Sequence, residues 1–103
     1  MLIFKVILLY KGIRMQTYKF IIKGLVQGVY YRKFISKNAT TSNFKGQVKN
    51  LTNGDVEVFA NIEQDSFNDF VSILKKGSPH SKVSNITYSK IDTIEFNKFS
   101  VTY

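Results

Sequence analysis

The sequence predicts an α+β sandwich, with two helices lying on one face of an antiparallel sheet. Three observations lead there. Segments that alternate with period two are interleaved with two segments of helical period, in the order β-α-β-β-α-β plus a short final strand. The 103 residues are 44% hydrophobic and 15% aromatic, enough for one packed core; a chain of this length hides roughly two-thirds of its unfolded surface. No internal repeat, linker or low-complexity tract argues for a second domain. The order is that of a split βαβ, the ferredoxin-like arrangement.

Taken in order, Met1 to Arg14 is an apolar run interrupted by Lys5. It is shorter than the ~20 residues a membrane span needs and lacks the basic start and small-residue cleavage site of a signal peptide. It reads as a dispensable extension (1–14) ahead of the domain proper (15–103), and Val6 to Tyr10, if exposed, would be an aggregation hazard. From Tyr18 to Lys23 the residues Tyr18, Phe20 and Ile22 mark one apolar face of a strand. Tyr31 to about Thr41 reads as a helix burying Tyr31, Phe34, Ile35 and Ala39 at spacings of three and four. Lys45 to Leu51 and Asp55 to Asn61 read as strands joined by Leu51-Thr52-Asn53-Gly54, in which Asn-Gly is hairpin chemistry. Phe67, Phe70, Val71 and Leu74 fall at i, i+3, i+4 and i+7, a helix that Asp65 or Ser66 can cap and Gly77 with Pro79 stops. Val83 to Ile91 is a further strand. Phe99, Val101 and Tyr103 alternate as a last one at the sheet edge.

Composition narrows the chemistry. With no cysteine there is no disulfide framework, zinc–thiolate site or thiol nucleophile, and one histidine excludes a His-rich metal site. The net charge of +8 raises encounter rates with anions and loosely favours polyanions. Three Asn-x-Thr triplets, at Asn38, Asn50 and Asn85, read as chance in an asparagine- and threonine-rich chain without a secretory signal.

One stretch stands out: Gly24-Leu25-Val26-Gln27-Gly28-Val29-Tyr30-Tyr31-Arg32, joining the first strand to the first helix. Gly24 and Gly28 permit positive φ and close approach of backbone to a ligand. A loop that enters a helix leaves N–H groups unpaired, a ready site for an oxyanion. Arg32 falls in the first helical turn, from which its guanidinium can fold back over the same concavity. The stretch is neither a Walker A loop nor a dinucleotide fingerprint, and its charged flanks exclude a membrane helix pair. Spacing alone equally permits a plain glycine turn beside a solvated arginine.

Gly24, Val26-Gln27-Gly28-Val29 and Arg32 resemble the first signature of the acylphosphatase family. Gly46-Gln47-Val48-Lys49-Asn50, followed by Gly54 and Val56, resembles the second. Gly77-Ser78-Pro79 and the ending Phe99-Ser100-Val101-Thr102-Tyr103 agree with small, eukaryotic-type members. The resemblance covers about Met15 to Tyr103. It departs at Gln47 for an aromatic, Ile62 for a glycine and Tyr31 for a phenylalanine, positions that bear on packing rather than chemistry.

The resemblance implies a hydrolase of carboxyl-phosphate anhydrides. Arg32 would be its phosphate-binding arginine, Asn50 its water-orienting asparagine, and Val26 to Arg32 its phosphate-binding loop. With the second strand expected beside the first, Asn50 comes within reach of that loop. The residues themselves fit such a reaction. No Ser-His, Cys-His or paired-carboxylate arrangement is visible, so the site suits a leaving group that departs unaided, such as a carboxylate with a pKa of ~4. The expectation is an enzyme without metal or cofactor. It acts on a small-molecule acylphosphate, as a cytoplasmic monomer with no nucleic-acid or membrane partner. Two other readings stay open: a polyanion- or nucleic-acid-binding module on this fold, although no RNP1-like string is present, and a non-catalytic anion-binding regulatory domain.

Overall fold

A computed structural model describes residues 15–103; the expectations for residues 1–14 lie outside them. The elements are β1 (Met15–Leu25), α1 (Tyr31–Thr41), β2 (Lys45–Asn50), β3 (Val56–Glu63), a 3-10 turn (Gln64–Ser66), α2 (Phe67–Lys76), β4 (Lys82–Ile91) and β5 (Phe99–Thr102). They form one five-stranded sheet in the order β4-β1-β3-β2-β5.

Two details differ from the sequence reading. β2 does not lie beside β1: β3 pairs antiparallel with both and sits between them. The Asn53-Gly54 hairpin keeps β3 against β2, and β3's other edge then takes β1, so Asn50 is one strand further from β1 than expected. Second, the sheet is mixed, because β5 runs parallel to β2, pairing Gly46 with Phe99 and Val48 with Val101. As expected, β5 is an edge strand.

Alternation decides which face is covered. In β3 the residues Val56, Val58, Ala60 and Ile62 are buried while their neighbours are not, and Phe20, Ile22 and Val48 share that face. Onto it α1 lays Tyr31, Ile35 and Ala39, with Phe34 half-buried, and α2 lays Phe70 and Leu74. Each large apolar side chain removed from water contributes about 1.5–3 kcal/mol. Ser66 occupies the N-cap position of α2 but makes no side-chain cap bond, and the Gly77 N–H closes the helix on the Ile73 carbonyl.

A cluster of aromatic rings is absorbed here. Phe20 meets Tyr18, Phe67, Phe70 and Tyr88 at ring-centroid distances of 5.3–6.0 Å. These rings pack against α2 rather than forming a stacking platform on the open face of the sheet.

Candidate active site

The loop that leaves β1 is shaped by two backbone irregularities. Gly28 has φ 75°, and Tyr30, at the N-cap of α1, is itself left-handed at φ 62°, ψ 22°. A tyrosine in that region costs on the order of 1 kcal/mol and persists only where its surroundings hold it. Several contacts hold it. The Tyr30 carbonyl accepts from Phe34 N–H at 3.2 Å, and the Val29 carbonyl accepts from Ser78 Oγ at 2.6 Å. Tyr31, fully buried, donates its hydroxyl to the Leu74 carbonyl at 2.8 Å, pinning the first turn of α1 to the last turns of α2. Burial pushes that phenol above the ordinary tyrosine range.

The two glycines divide the roles that spacing assigned to both. A Cβ at Gly28 would meet nothing, and the residue opens onto the groove. A Cβ at Gly24 would overlap the Lys82 carbonyl oxygen, so Gly24 serves the irregular β1–β4 pairing rather than the site.

Gln27 joins the loop to the hairpin. Its Nε2 donates to the carbonyls of Leu51 at 2.8 Å and Asp55 at 2.7 Å. Lys23 adds an ion pair to the buried Asp55 carboxylate at 2.8 Å, which also accepts from Asn53 Nδ2 at 3.2 Å. Loop and hairpin are therefore set at one spacing, although β3 separates their strands.

Asn50 ends β2 with the same parity as Gly46 and Val48, hence on the helix-covered face. Among the described residues, its Oδ1 is the one buried side-chain polar atom that lacks a hydrogen-bond partner. Arg32 is half-buried; its guanidinium donates to the Thr102 carbonyl at 3.3 Å and lies 4.7 Å from the centre of the Tyr103 ring. One of its five N–H donors is thus used. The backbone N–H groups of Gln27 to Lys33 have no backbone acceptor among the described residues.

These groups meet around one groove of ≈ 980 Å³, with Val26, Gln27, Gly28, Tyr30, Tyr31, Arg32 and Asn50 in its wall. Val29 is not in that wall; its carbonyl is turned to Ser78. Val101 and Tyr103 close one side. Sequence reasoning did not single out Tyr103, Thr102 or the side chain of Gln27 for the site. The alternation of Phe99, Val101 and Tyr103 was the available signal for Tyr103, because it puts all three on the face that carries Asn50. His80 is exposed in the turn after α2 and away from the groove. Among the described residues no three His, Asp or Glu side chains stand together as a metal site, and no helix is long and apolar enough to cross a membrane.

A loop of unpaired N–H groups, an arginine and an isolated amide thus line one groove on a split-βαβ sheet. Comparison with known proteins gives it a family. The acylphosphatase family profile matches residues 18–101. The chain is 37% identical to the acylphosphatase of Bacillus subtilis (strain 168) over 90 residues, 86% of this chain and 99% of that one. It is 35% identical to that of Caldivirga maquilingensis over 94 residues, 89% of this chain and 96% of the relative. The crystal structure of acylphosphatase from Bacillus subtilis superposes with a TM-score of 0.79 at 36% identity, covering 86% of this chain and 99% of that one. For an acylphosphatase from Coxiella burnetii the TM-score is 0.81 at 34% identity, covering 89% and 97%. The chain belongs to the acylphosphatase family. It is a hydrolase, and its substrate is a small-molecule acylphosphate.

Proposed function

We propose that the groove hydrolyses acylphosphates by in-line attack of a water held by Asn50, on a phosphoryl group held by the loop and Arg32. The observation that carries this reading is the unpartnered Asn50 Oδ1. Buried polar atoms are almost always paired, so an orphan acceptor in the wall of a groove marks where a donor from a water or ligand binds. Those backbone N–H groups of the Val26 to Arg32 loop that face the groove, with the Arg32 fork, surround the equatorial oxygens and stabilise their charge in the transition state. Asn50 contributes orientation. The water oxygen bonds to phosphorus as the bond from phosphorus to the acyl oxygen breaks. The carboxylate leaves without a general acid, and the water's proton passes to a phosphoryl oxygen.

In this reading the enzyme uses no metal, cofactor or covalent intermediate and works as a cytoplasmic monomer, without nucleic-acid or membrane partners. Residues 15–103 suffice for it, residues 1–14 being dispensable. The polyanion-binding alternative loses support because Phe20 is packed against Phe67 and Phe70 of α2 rather than presented for stacking.

The test is hydrolysis of acetyl phosphate in excess chelator by the wild type, Asn50→Ala and Arg32→Gln. Removal of one preorganised group costs about 3 kcal/mol, a hundredfold or more in rate. Asn50→Ala is expected to lose kcat while still binding inorganic phosphate, whereas Arg32→Gln loses both. Wild-type turnover in Asn50→Ala would remove the amide from the mechanism.

A further inference from the structure

The groove is far larger than one phosphoryl group requires. Beyond the loop it continues along α1, where Lys33, Ser36, Lys37, Thr40 and Thr41 form its wall. Three of the groove's residues are basic (Arg32, Lys33 and Lys37) and none is acidic.

The charge arrangement of α1 is unusual for this chain. α2 follows the helix dipole, with Asp69 in its first turn and Lys75 and Lys76 in its last. α1 runs against it: Arg32 and Lys33 stand in the first turn, which holds no acidic residue, and no basic residue stands in the last. Lys33 and Lys37 are four apart on one exposed face, a like-charge spacing that weakens a helix. Among the described residues neither has a carboxylate partner; the ion pairs there are Lys19–Glu57 and Lys23–Asp55. A local rule broken without internal compensation is expected where a ligand supplies the compensation. Along the helix axis Lys33 stands ~1.5 Å and Lys37 roughly 7–8 Å beyond Arg32, about 100° and 140° around the helix from it, and both reach the groove wall.

We propose that this arm of the groove is an acyl-group subsite for the acyl phosphates of short dicarboxylic acids, whose free carboxylate is recognised by Lys33 and Lys37. The proposal rests on the acylphosphate-hydrolase reading of the loop. Thr40 offers a hydroxyl along the path, those of Ser36 and Thr41 already donating to the carbonyls of Phe99 at 3.4 Å and Lys37 at 3.0 Å, and the lysines contribute specificity rather than chemistry.

The experiment compares kcat/KM for succinyl phosphate with that for butanoyl phosphate, which has the same number of acyl carbons and no second charge. Wild type and the double variant Lys33→Ala/Lys37→Ala are measured in parallel. Two exposed charge pairs are worth roughly fivefold to tenfold together. The wild type is therefore expected to favour succinyl phosphate by about that factor, and the ratio to fall towards one in the double variant. Raising ionic strength from ~0.01 M to ~1 M, where the screening length drops from about 30 Å to about 3 Å, has the same effect on the wild-type ratio. Lys33→Glu/Lys37→Glu takes the ratio below one. A ratio unchanged in the double variant, with butanoyl phosphate still hydrolysed, overturns the subsite and leaves the hydrolase intact. Hydrolysis of neither substrate by the folded wild type overturns both.

Discussion

Gln27→Leu tests whether the loop and the hairpin act as one unit. The substitution keeps the side-chain volume roughly constant and removes the two donations to Leu51 and Asp55. Each neutral hydrogen bond of this kind contributes ~0.5–1.5 kcal/mol, so the loss sums to about 2 kcal/mol. It should not be larger, because both carbonyls keep a backbone donor: Gly54 N–H to Leu51 at 3.3 Å and Leu51 N–H to Asp55 at 2.8 Å. For a domain of this size about 2 kcal/mol lowers Tm by roughly 8–15 °C, and it lowers the urea midpoint by about 1 M or more. Catalysis should suffer separately. In the proposed mechanism Gln27 sets the spacing between the loop and Asn50, and a displacement of ~1 Å between reacting groups costs up to about a hundredfold. The assays are urea unfolding followed by circular dichroism, and acetyl phosphate turnover at a temperature where the variant is fully folded. A midpoint and kcat both equal to wild type would show that strand pairing alone holds the hairpin against the loop.

Two further outcomes follow from buried contacts. Tyr31 has its phenol pKa raised by burial, so the unfolded chain ionises at pH ~10 while the folded one stays neutral. Its contribution is therefore present below that pH and lost as pH rises above it, and Tyr31→Phe, at a cost of about 1 kcal/mol at neutral pH, should show a shallower alkaline decline in its urea midpoint. Gly24→Ala forces a Cβ onto the Lys82 carbonyl oxygen at φ 134° and is expected to lose about 2–4 kcal/mol; a stability within 0.5 kcal/mol of wild type would mean that β1 and β4 re-pair without their irregularity.

What the sequence made legible was local. Tyr18, Phe20 and Ile22 mark a strand face, Phe67 to Leu74 a helix stripe and Asn53-Gly54 a hairpin, because period and turn chemistry are written in neighbouring residues. Strand order was not. Whether β2 or β3 lies beside β1 depends on pairings between distant segments, and nothing in Lys45 to Asn50 names its partner. The left-handed Tyr30 was invisible for a related reason: tyrosine has no preference for that conformation, and it is imposed by contacts to Phe34 and by Ser78, 49 positions from Val29. The groove's membership was half legible. Arg32, Asn50 and the loop stood out by pattern and resemblance, whereas the side-chain amide of Gln27 and the ring of Tyr103 acquire their places only from the finished sheet.

The parallel edge strand has a consequence for the order of events during synthesis. Arg32 is tethered by Thr102, 70 positions later, and by Tyr103 beyond it. β5 follows every other described element. A nascent chain that has released β1 to β4 already carries the loop, both helices and the hairpin with Asn50, yet lacks the Thr102 carbonyl and the Tyr103 ring that Arg32 meets. Closing so long a loop is entropically costly, and it is what brings the Thr102 carbonyl to the guanidinium. In the proposed mechanism, turnover therefore requires β5 to have paired with β2.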